Sequence, residues 1–109
     1  MHILIVEDDG LSRSVLLKLL RREGHEVDGC IDGQQATEVL RTGDYDALVT
    51  DHMMPGITGL DLVRAAREKH PEMRCVVISG LAAPPEAAGV RWVPKPLDFD
   101  ELLTVLNAA

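Results

Sequence analysis

The sequence predicts an α/β domain: a doubly wound parallel sheet of five strands with helices on both faces. Three observations point there. Short β-branched and aliphatic runs alternate with longer stretches of helical period, which is the pattern of successive βα units. The strand runs are apolar almost throughout, as expected where both faces of a parallel strand are covered. The chain has 109 residues, 46% of them hydrophobic but with one Trp, one Tyr and one Phe, so a single core is expected and aliphatic side chains must build it.

The first strand is His2–Val6. A helix over 11–23 follows, with Val15, Leu16, Leu19 and Leu20 expected on one buried face and Gly24 placed to end it. The second strand, Glu26–Cys30, is the least apolar. The next helix spans Gly33–Thr42, with Asp32 as cap, Gln35 reaching back and Gly43 as the stop. After the third strand, 47–50, a helix begins behind Thr58, an N-cap paired with Asp61, and runs to about His70 because Pro71 forbids continuation. The fourth and fifth strands are Arg74–Ser79 and Arg91–Pro94. A last helix starts after Asp98, whose partner Glu101 completes a capping box, and carries Leu102, Leu103, Val105 and Leu106 to the chain end at Ala109.

The crossover between the fourth and fifth strands breaks the rhythm. A parallel crossover of this kind normally carries a helix, but residues 80–90 contain Pro84, Pro85 and Gly89, which leave room for one turn near 85–88. The fourth helix is therefore expected to be degenerate. No repeat, linker or low-complexity tract divides the chain, so residues 1–109 read as one domain.

Ligands of such a sheet bind beyond the carboxyl ends of its strands. Glu7, Asp8 and Asp9 close the first strand, Asp51 the third, Ser79 the fourth and Lys95 the fifth. Crowded carboxylates oppose one another's ionisation unless a cation compensates. Mg²⁺ suits them, because it takes hard oxygen ligands and commonly combines one or two carboxylates with phosphate oxygens. Asp8 and Asp51 would ligate it directly and Glu7 through a water. Aspartate is also a competent covalent phosphoryl acceptor. Phosphoryl transfer asks mainly for alignment and charge neutralisation, for which a metal and the Lys95 ammonium are sufficient tools.

The formal charge is -7, from 18 acids against 11 Lys and Arg, which argues against a nucleic-acid partner. Cys30 and Cys75 match no zinc spacing and read as buried free thiols, in keeping with a cytoplasmic protein. No apolar run approaches the ~20 residues of a membrane helix.

Four segments together resemble the receiver domains of response regulators, in order and over essentially the whole chain. They are ILIVEDD at 3–9, TDHMMPGITGLDL at 50–62, VVISG at 76–80 and VPKPLD at 93–98. The resemblance implies a flavodoxin-like fold with strand order 2-1-3-4-5. It implies that Asp51 receives a phosphoryl group from a histidine kinase or a histidine phosphotransfer protein, with Mg²⁺ held by Asp8, Asp51 and the backbone carbonyl of Met53 and with Glu7 in the outer acidic position. Ser79 becomes the switch hydroxyl, Lys95 the contact to the phosphoryl group, Lys95-Pro96 a cis peptide and Trp92 the aromatic switch residue. The expected function is a phosphorylation-dependent switch of a two-component system or phosphorelay. It catalyses its own aspartyl phosphorylation, turns over no separate substrate and signals to an output protein or domain.

Two departures accompany the likeness. The family's output helix is replaced by the proline-containing segment, which implies signalling by ordering or moving a loop. Met53 and Leu81 put apolar residues at both positions that tune hydrolysis, so self-dephosphorylation is expected to be slow, unless an inward-turned His52 positions the water. The competing function is a phosphorylation-independent pseudo-receiver serving as an interaction module. An aspartyl phosphatase would want an acid where Met53 stands, and no P-loop, serine elbow or zinc-protease motif is present.

Overall fold

Alternating side chains along the strands divide the core in two. The computed structural model describes residues 1–108 and holds a five-stranded parallel sheet. Its elements are β1 (His2–Val6), α1 (Gly10–Arg22), β2 (Glu26–Cys30), α2 (Gly33–Thr42), β3 (Ala47–Asp51), α3 (Gly59–Lys69), β4 (Arg74–Ser79), a 3₁₀ turn (Pro85–Ala87), β5 (Arg91–Pro94) and α4 (Phe99–Asn107). The strand order is β2-β1-β3-β4-β5, with Ile3 beside Val27 and Ala47, and Asp51 beside Ile78. Ile3, Ile5, Val49, Val76 and Val93 face α1 and α4, whereas Leu4, Val6, Leu48, Cys75 and Val77 face α2 and α3. That period of two sends each central strand into both layers.

The helix starts follow local chemistry. The side chains of Asp9, Asp32, Thr58 and Asp98 accept from backbone amides of the first turns of α1, α2, α3 and α4. Gln35 reaches back as expected, although to the amide of Ile31, one residue before the cap. The crossover holds one 3₁₀ turn, and Lys95-Pro96 is a cis peptide. Cys30 and Cys75 are free and buried; burial pushes the Cys30 thiol up to about 11 and the Cys75 thiol upward.

Several expectations need correction. β3 extends one residue further, to include Asp51, and the last helix ends at Asn107, because Ala108 is extended; Ala109 lies outside the described residues. α1 buries only part of the expected face. Leu16 and Leu20 are buried with Leu17 beside them, whereas Val15 is 46% exposed and, with Leu11 and Leu19, lines a groove against Leu97 and Phe99. Among the described residues no helix is long and apolar enough to cross a membrane.

Candidate functional site

All five strands end at the same rim, and the acids gather there. Glu7 follows β1 directly, its amide bonded to Cys30 O and its carbonyl accepting from Arg13. Asp51 closes β3, where Thr50 Oγ1 donates to its carbonyl at 2.9 Å. One oxygen each from Glu7, Asp8 and Asp51 lie within 4.8 Å of one another. Glu7 and Asp51 are buried and Asp8 is exposed, so the cluster opens to water on one side.

Electrostatics make this a site in need of positive charge. Burial first, and then the neighbouring Asp51, push the Glu7 carboxyl up to about 7. Lys95 Nζ lies 3.0 Å from Asp51 Oδ1. Its own burial works against the ammonium, but Asp51, with Glu7 and Asp8, outweighs that and raises the Lys95 pKa. Asp51 Oδ1 is buried and has the Lys95 ammonium as its charge partner. Three acids with ligand oxygens within 4.8 Å of one another, faced by a single ammonium, are a donor set that suits a small hard cation such as Mg²⁺.

The other expected residues surround this cluster unevenly. Ser79 ends β4 fully buried, with Oγ accepting from the amide of Leu81 at 3.0 Å, and its carbonyl accepts from the Lys95 amide at 2.9 Å. Trp92 lies on β5, one strand over. Its indole donates to Leu81 O at 2.9 Å and its ring stands 5.0 Å from that of His52. The His52 ring thus packs against the indole, with Nδ1 buried and unpartnered. Met53 is 61% exposed and Leu81 is also exposed, so neither belongs to the buried core.

Gly59 was not among the expected site residues. A Cβ there would lie 2.3 Å from Asp51 O and 2.9 Å from His52 Cα, so α3 starts against the backbone of the acid. The only sequence signal was a glycine directly after an N-cap threonine. Arg13 was likewise unmarked, since an arginine in a first helical turn is commonplace.

A model of the response regulator receiver domain family matches residues 3–107. The chain belongs to that family. Among curated proteins this receiver is 34% identical to the transcriptional regulatory protein TcrA of Mycobacterium tuberculosis, over 98% of this chain and 45% of that protein. It is 33% identical to the two-component response regulator PhoP of Pseudomonas aeruginosa, over 99% and 51%. The chain therefore spans about half the length of these relatives. Among solved structures, the receiver domain of the hybrid histidine kinase CckA is 37% identical, with a TM-score of 0.81 over 94% of this chain and 93% of that one. The response regulator TrrA of Thermotoga maritima, solved with Mg²⁺ and BeF, is 29% identical, with a TM-score of 0.86 over 94% and 92%. TrrA has also been crystallised with the histidine kinase ThkA.

Proposed function

We propose that this receiver is a phosphoryl-accepting switch with Asp51 as its acceptor. The observation that carries the reading is the convergence of Glu7, Asp8 and Asp51 within 4.8 Å, with Lys95 3.0 Å from Asp51 Oδ1. An Asp51 oxygen forms the new P–O bond while the bond from phosphorus to the donor nitrogen breaks, and the freed imidazole takes up a proton. Lys95 offsets charge on the transferring group, and the Ser79 hydroxyl, whose oxygen already accepts from Leu81, has its proton free to donate to a phosphoryl oxygen. Asp8, Asp51 and the Met53 carbonyl are the residues to hold Mg²⁺, with Glu7 acting through a water. The ion supplies charge neutralisation and alignment. The donor is a histidine kinase or phosphotransfer protein, by analogy with TrrA and ThkA.

Incubation with Mg²⁺ and acetyl phosphate, followed by intact mass, tests this. The expected result is a gain of one phosphoryl group that Asp51→Asn abolishes. No gain in the unsubstituted protein would leave the interaction-module reading in its place.

A further inference from the structure

The crossover from β4 to β5 lacks the hydrogen bonds that a full helix would give its carbonyls, which leaves them open to side-chain donors. α3 supplies them. Arg64 Nη2 donates to Glu86 O at 3.0 Å and Arg67 Nη1 donates to Gly89 O at 3.1 Å. The two arginines are three residues apart and share one face of α3. Their acceptors bracket Ala87, the buried last residue of the 3₁₀ turn. The other end of the same segment is tied to the acceptor site: Leu81 N donates to Ser79 Oγ, and Leu81 O accepts from Trp92 Nε1. Gly80 and Gly89, the latter at φ +85°, stand at either end and allow the segment to pivot.

We propose that Arg64 and Arg67 are positioning residues forming a latch, which holds the 80–90 crossover on α3 and thereby sets how readily the Asp51 site accepts its phosphoryl group. The proposal rests on the switch reading above. Any displacement of Ser79 toward a group on Asp51 pulls on the Leu81 amide. Leu81 can follow only if the chain behind it gives way, and the arginines oppose that. Bonds made in the resting state and loosened in the phosphorylated state bias the equilibrium toward rest by their differential strength.

The test compares wild type, R64Q/R67Q, R64K/R67K and R41Q by titration with beryllofluoride in Mg²⁺. The readout is emission of Trp92, the single tryptophan, which is bonded to the segment. Arg41 pairs with Glu38 on α2 and serves as the control for lost surface charge. The latch predicts that R64Q/R67Q binds the mimic more tightly, on the order of fivefold for two partly exposed hydrogen bonds. R64K/R67K should fall between it and wild type, and R41Q should match wild type. A gain in affinity separates a latch from mere damage, which would weaken binding. Unchanged or weaker binding in R64Q/R67Q, with wild type responding normally, overturns the latch alone. No response and no mass gain in wild type overturns the switch and the latch with it.

Discussion

Glu7 illustrates how a single residue can carry the state of the whole rim. An ordinary glutamate titrates near 4.5 in the unfolded chain, but burial and then Asp51 push this one up to about 7 in the fold. Between those values the native state binds more protons than the unfolded state, so stability falls as pH rises across that window and levels off above it. The urea midpoint of the metal-free protein should therefore drop between about pH 5 and pH 7, and Glu7→Gln should flatten that limb, because nothing remains there to ionise. His2, raised despite its burial by Asp28, adds a similar fall near and above its ordinary value, and it is untouched by the substitution. Equal slopes in both proteins would mean that Glu7 ionises normally. The acid itself was legible in the sequence from its place after an apolar strand. The direction of its shift was legible too, from the crowding of carboxylates at one rim, whereas its largest cause, burial, depends on packing that the sequence does not display.

At the scale of the element, what was legible is what is local. Caps at Asp32, Thr58 and Asp98 involve neighbours two or three residues off, so residue type and spacing were enough to place three helix starts. Asp98 is the strongest of these, accepting from both Asp100 N and Glu101 N. Asp98→Ala should cost about 1 kcal/mol, read as a lower urea midpoint at unchanged slope, and Asp98→Ser should recover most of it. A loss no greater than that of an exposed control would assign the stability of α4 to its buried Leu102 and Leu106 alone. The inward face of α1 was only half legible, with Leu16 and Leu20 buried as expected but Val15 exposed, because the helix has apolar residues on two arcs. Leu16, Leu17 and Leu20 form one and Leu11, Val15 and Leu19 the other, and periodicity cannot choose between arcs when the deciding partner is a distant strand. The crossover shows the same division. Its failure to form a helix was written in Pro84, Pro85 and Gly89, but its tethers come from arginines twenty-two positions away.

Across the whole molecule the charge is -7, and the rim draws three carboxylates together within that negative field. A divalent cation bound there relieves repulsion in the folded state but finds no assembled site in the unfolded chain, so metal binding and stability are linked. At a hundredfold excess over its dissociation constant, an ion that binds one site adds about 2.7 kcal/mol. For a domain of this size each kcal/mol moves the melting temperature by about 4–8 °C. Mg²⁺ should therefore raise the melting temperature of wild type by on the order of 10 °C at saturation, and a chelator should reverse it. Asp8→Asn removes an exposed carboxylate without opening a cavity, so its metal-free stability should match wild type or exceed it as repulsion eases, while most of the Mg²⁺ increment disappears. The increment should also shrink below about pH 7, where Glu7 takes up its proton and competes with the ion. Equal Mg²⁺ shifts in wild type and Asp8→Asn, at equal pH and salt, would place the ion somewhere other than this rim.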